Sequence, residues 1–162
     1  MAREVASNLD GSGLRIGLIA SEFNEFITAR LLTGAQKALE KAGVPGVGIT
    51  TVWVPGALEL PQAAQYMAAS GQFDALVTLG CVIRGETSHY DVVASETARG
   101  VAGVARTTGI PVTFGVLTTE TIEQASARAG GELGNRGADA AEAAVKMANL
   151  FRVLGAGHEV RT

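Results

Sequence analysis

Cysteine is almost missing from this 162-residue chain. Cys81 stands alone, so no disulfide can form within the chain and no oxidising compartment is needed for folding. Histidine is nearly as scarce. His89 and His158 are far apart, and no Cys/His cluster has zinc-like spacing, so no metal site is expected. A block of basic residues is also missing. The net charge is −3 with both signs mixed along the length, so nothing neutralises a nucleic-acid backbone and no such partner is expected. Long apolar runs are absent too: those present are short and broken by glycine, below the length of a membrane span. Residues 1–13 are polar and lack the apolar core of a signal peptide. The cytoplasm is the expected location.

The chain has the makings of a core: 47% of its residues are apolar and 18% charged, as in globular proteins. Its length suits one domain spanning 1–162, with 1–13 as an N-terminal arm. Glycine is abundant at 21 residues, well above the usual ~7%. Several glycines follow strand-like runs, where an α/β protein brings backbone close to ligands.

Four β-branched-rich runs, 14–20, 47–54, 75–83 and 111–117, lack polar alternation, which predicts strands buried on both faces of a parallel sheet. Helical patterns fall between them. In 26–42, Ile27, Leu31, Ala35, Ala38 and Ala42 recur at helical spacing and Gly43 closes the segment. Further helices are expected at 57–70, with Pro61 in its first turn, and at 90–107, 121–129 and 138–154, the last two separated by a loop at 130–137. Thr119 or Thr121 can cap the fourth helix with Glu123 or Gln124. The order predicts a three-layer α/β/α sandwich around a four-stranded parallel sheet of flavodoxin-like type. Ligands of such sheets bind outside the carboxyl ends of the strands, which selects 21–24, 54–59, 80–89 and 114–119.

Two phosphate motifs are excluded. Gly11-Ser12-Gly13 precedes the first strand instead of following it, so it is not a dinucleotide fingerprint. The run from Gly80 to Thr87 has the glycine spacing of a P-loop, yet Glu86 stands where lysine is needed and would repel a triphosphate. What remains there is Arg84, Thr87, Ser88 and His89 with backbone amides at a helix start, suited to one anionic group.

Histidine is the side chain whose unperturbed pKa lies near neutrality, and His89 sits at a strand's carboxyl end, so it is either a proton shuttle or a side chain capping the helix or bonding a carbonyl. Phe23 is either a stacking platform for a flat heterocycle or a core aromatic. Glu59, beside Gly56 at a helix start, either bonds a polyol or imide edge or complements the helix dipole. Arg128, near a helix end, reads by itself as a solvated arginine on terminal carbonyls. Cys81 and Trp53 read as buried sheet residues.

Taken together these segments resemble the lumazine synthases, which act in riboflavin biosynthesis. The matching stretches are Phe23-Asn24, Trp53 through Pro61, Gly80 through Tyr90, Phe114 through Glu120, Ile122 through Ala125, Arg128-Ala129-Gly130 and Gly134 through Gly137, in family order across most of the chain. Leu58, Cys81 and Arg136 depart from the commoner family choices of phenylalanine, threonine and lysine. The resemblance implies condensation of 5-amino-6-ribitylaminouracil with 3,4-dihydroxy-2-butanone 4-phosphate, with no cofactor or metal. It implies Phe23 stacked on the pyrimidine, Ala57, Leu58 and Glu59 on the ribityl chain, and Cys81, Val82, Ile83 and Phe114 around the heterocycle. Glu86, Thr87 and Arg128 would hold the butanone phosphate, and His89 would move protons. It further implies a pentamer with sites between adjacent subunits, Phe114 and Arg128 coming from the neighbour. In some members sixty subunits form a capsid, and riboflavin synthase is an implied partner. From another class, the same residues would suit a flavin-binding module without turnover, or a scaffold that only forms shells.

Overall fold

A computed structural model describes residues 1–159, with side chains described through residue 155, so the side chain of His158 falls outside them. Four strands form one parallel sheet: β1 (Ile16–Ser21), β2 (Ile49–Val54), β3 (Ala75–Ile83) and β4 (Val112–Thr119), in the order β2-β1-β3-β4. The helices are α1 (Glu25–Ala42), α2 (Leu60–Ala69), α3 (His89–Thr108), α4 (Ile122–Ala127) and α5 (Arg136–Glu159). α1 packs with α5 on one face and α2 with α3 on the other, giving the three layers and flavodoxin-like order expected from the βαβ alternation.

The two central strands explain why the sheet forms. Every residue of β1 is buried, and β3 is buried from Ala75 to Cys81. Alternate residues feed two cores. Leu18, Ala20, Val77 and Leu79 meet Ile27, Leu31, Ala35 and Leu39 of α1 and Ala141, Ala144 and Val145 of α5. Ile19 and Leu76 point the other way, towards Leu60, Ala64 and Val104. Each fully buried leucine or isoleucine contributes ~1.5–3 kcal/mol.

Four expectations are corrected. β2 lies at the sheet edge instead of inside it, so Thr50 is exposed and Trp53 half-exposed rather than buried. Residues 57–59 form a 3-10 turn before α2, whose start is set by Pro61 in its first turn, where no N–H is needed. The stretch after α4 is not plain loop: β5 (Ala129–Gly131) pairs antiparallel with β6 (Gly134–Asn135). α5 then starts at Arg136, two residues earlier than expected, because Asn135 Oδ1 accepts the Ala138 N–H at 3.0 Å. Gly137 permits this, since a Cβ there would collide with the Leu31 carbonyl of α1.

Other local readings hold. Gly43 closes α1 in the left-handed region (φ 91°). Thr121 forms a capping box with Gln124, choosing between the open alternatives. Residues 1–13 carry no regular element, and this segment is tied down at its far end: Gly11 N–H donates to Ala42 O (2.7 Å), and Asn149 Nδ2 donates to Asn8 O (2.9 Å) and Asp10 O (2.8 Å). Among the described residues, no helix is long and apolar enough to cross a membrane.

Candidate active site

Because β1 lies between β2 and β3, the chain leaves β1 in one direction and later returns past it. The helices that follow β1 and β3 therefore sit on opposite faces, and a crevice opens between the carboxyl ends of these strands. A cavity of about 460 Å³ occupies that position, within the range of small-ligand sites. Phe23 borders it from the β1 exit, Pro55 to Glu59 from the β2 exit, and Cys81, Val82 and Ile83 from the end of β3. Gly85, Thr87, His89, Tyr90 and Val93 complete it from the loop and first turns of α3. Most walls are apolar; the polar side chains are those of Glu59, Thr87, His89 and Tyr90.

Phe23 is placed by its backbone. Glu22 N–H donates to Val54 O (2.8 Å) and Phe23 N–H to Pro55 O (3.1 Å), which carries the β1–β2 pairing past the strand ends. Asn24 then reverses the chain with φ 59° and ψ 41°, the one non-glycine residue at positive φ among those described. Its Nδ2 does not cap α1 and instead donates to Cys81 O (2.8 Å), pinning the β1 exit to the end of β3. The Phe23 ring is consequently 71% exposed, with an open face at the cavity and no place in the core.

Cys81 is buried, and loss of solvent pushes its thiol up to about 11. It is protonated at neutral pH and is not a poised nucleophile. His89 is the first residue of α3. Its backbone N–H is capped by Thr87 Oγ1 (3.3 Å), and among the described residues its imidazole makes no hydrogen bond. The ring neither caps the helix nor binds a carbonyl. Glu59 lies half-buried in the 3-10 turn, on the cavity wall.

Three candidates do not meet in this cavity. Glu86 is exposed on the loop and outside the lining. Phe114 lies on edge strand β4, 41% exposed, in register with Thr78. Arg128 follows α4, and its Nη1 donates to Gln124 O (2.9 Å), as an arginine on terminal carbonyls does. Arg84 is also reassigned. Its Nε lies 2.9 and 3.0 Å from the Glu120 carboxylate oxygens, Nη2 lies 3.2 Å from Asp91 Oδ1, and the guanidinium sits 4.4 Å from the Tyr90 ring centroid. Bonds to Glu120 and then Asp91 hold it above its ordinary pKa. Its Nε and Nη2 are thus engaged within the chain.

Sequence reasoning did not single out Tyr90, Val93 or Asn24. Tyr90 and Val93 are three apart on α3, so they share a face once His89 starts the helix. Asn24 carried a usable signal: asparagine between a strand and the helix that follows is among the few side chains that tolerate the left-handed turn.

The fold and cavity define a parallel α/β protein with a cavity of small-ligand size at its topological switch point. The profile of the 6,7-dimethyl-8-ribityllumazine synthase family matches residues 13–152, which spans β1 through most of α5 and all of the cavity. The chain belongs to this family.

Proposed function

We propose that the protein is a 6,7-dimethyl-8-ribityllumazine synthase that joins 5-amino-6-ribitylaminouracil to 3,4-dihydroxy-2-butanone 4-phosphate, releasing phosphate and two waters. The observation that carries this reading is the cavity at the β1/β3 exits, with an unstacked Phe23 ring at one side and an unpartnered His89 imidazole at the other. The pyrimidine stacks on Phe23, its polar edge meets backbone groups of Cys81, Val82 and Ile83, and the ribityl chain runs along Ala57, Leu58 and Glu59. The butanone phosphate lies on the loop, at Thr87 and the backbone N–H of Glu86, since the Glu86 carboxylate would repel it.

The amine attacks the ketone and loses water; phosphate is then eliminated, and the second carbonyl closes the ring with loss of the second water. Each step moves protons at neutral pH, which His89 is placed to do. The reactants combine readily, so holding them together supplies much of the rate.

Phe114 and Arg128 complete the site from a neighbouring subunit of a pentamer in this reading. Exposed apolar side chains support such an assembly: Phe26, Val92, Phe114 and Ile122 are each more than 40% exposed. The protein acts in the cytoplasm as one domain, with residues 1–13 as an arm. Mixing it with the two substrates and following lumazine absorbance against a protein-free control tests the reading. Protein-dependent product is expected; no acceleration together with tight flavin binding would make it a binding module.

A further inference from the structure

The loop proposed to carry the phosphate has two carboxylates beside it. Asp91 is two residues past His89, and Glu120 directly follows β4, next to the point where Arg84 N–H donates to Thr119 O (2.9 Å). Asp91 and Glu120 are 58% and 60% exposed, so their fields reach the solvent through which an anionic substrate arrives. Arg84 bonds both and lies over the ring of Tyr90, a residue that also lines the cavity. With Arg84 the three groups carry a net −1; without it they carry −2. Nε and Nη2 are committed to these two carboxylates, so the edge of the guanidinium that could grip an anion with two bonds already faces Glu120 and Asp91.

We propose that Arg84 is a positioning residue that masks Asp91 and Glu120, letting a phosphate-bearing substrate settle on the 85–89 loop. This rests on the functional reading above, but its consequences are separable. A guanidinium that ligated phosphate directly would be irreplaceable, whereas a mask becomes unnecessary once the masked charges are gone. That difference decides between Arg84 as ligand and Arg84 as shield. A purely structural clamp predicts a third result, since removing its partners as well cannot rebuild it.

The experiment compares wild type, Arg84→Ala, Arg84→Lys and the triple variant Arg84→Ala/Asp91→Asn/Glu120→Gln by two readouts. The first is KM for each substrate; the second is calorimetric titration with inorganic phosphate, which needs no turnover. In Arg84→Ala, KM for the phosphate-bearing substrate and Kd for inorganic phosphate should rise roughly tenfold at low salt, as expected for one unmasked charge within a Debye length. KM for the uncharged ribityl substrate should move far less, and half-molar salt should remove most of the difference. The triple variant should return both phosphate readouts near wild type, and Arg84→Lys should stay near it throughout. A triple variant as weak as Arg84→Ala overturns the proposal, as does an equal rise in both KM values or a wild type with no phosphate affinity. A wild type that binds phosphate but makes no lumazine overturns the enzyme reading alone, and the titrations still decide for Arg84.

Discussion

At the scale of single residues, the cavity brings together two groups of contrasting expected behaviour, His89, the proposed proton carrier, and the buried thiol of Cys81. His89 is open to solvent at a helix start, with its imidazole free. His89→Ala should lower kcat by roughly tenfold to a hundredfold, at or below the ~10²–10⁴-fold usual for lost acid–base catalysis, because positioning carries much of the rate. Steady-state lumazine formation checks this, and unchanged turnover would remove the role. Cys81 should behave oppositely. With its thiol raised to about 11 from an ordinary 9.0, it should resist thiol reagents at pH 8 in the folded protein and react fully in denaturant. The folded form holds its proton between pH 9 and 11 while the unfolded form gives it up, so this residue's contribution to stability is full below pH 9 and falls as pH rises through that window. Urea midpoints at pH 8 and 10.5 for wild type and Cys81→Ala should converge at the higher pH. Much of this site was legible beforehand, because glycine, proline and polar residues after β-branched runs mark strand exits. The ion pairs of Arg84 were not legible because Asp91 and Glu120 are brought to it by α3 and the end of β4, and a sequence shows a charge without showing what neutralises it.

Among the elements, the joint between β1, β3 and α1 carries the geometry of the site. Asn24 serves it twice, by a left-handed backbone and by the bond from Nδ2 to Cys81 O. Alanine loses both, a left-handed penalty of ~1–2 kcal/mol and a hydrogen bond worth ~0.5–1.5 kcal/mol. Asn24→Ala should therefore destabilise by about 2 kcal/mol, while Asn24→Gly, which keeps the turn at no steric cost, should lose about half of that. Urea unfolding of both variants checks the ordering, and equal losses would deny the backbone its share. Element positions were readable where a local signal closes them, as Gly43 does for α1 and Thr121 for α4. The β5–β6 hairpin was not, because its strands are three and two residues long and it is held by ties beyond itself: Leu133 N–H to Ala127 O, Arg136 N–H to Arg128 O, and Asn135 Nδ2 to Arg30 O on α1. Nor was the edge position of β2, since β-branched composition reports a strand and not its neighbours.

On the scale of the whole molecule, the site proposed for this chain is incomplete within it. Phe23, Glu59 and His89 border one cavity, while Phe114 and Arg128 lie elsewhere on the same chain. Either those two residues play no part, or a second copy brings its own Phe114 and Arg128 to the first copy's cavity. The two cases separate by mixing. His89→Ala and Arg128→Ala subunits each make defective homo-oligomers, but in a ring where every site draws His89 from one subunit and Arg128 from the next, random 1:1 reassembly leaves about a quarter of the sites with both groups intact. Activity should therefore reappear on co-refolding, well above the sum of the separate variants and towards a quarter of wild type. Native mass spectrometry confirms that exchange has occurred. If subunits mix and activity stays at the level of the parents, the site is not shared, and Arg128 keeps only its bond to the end of α4.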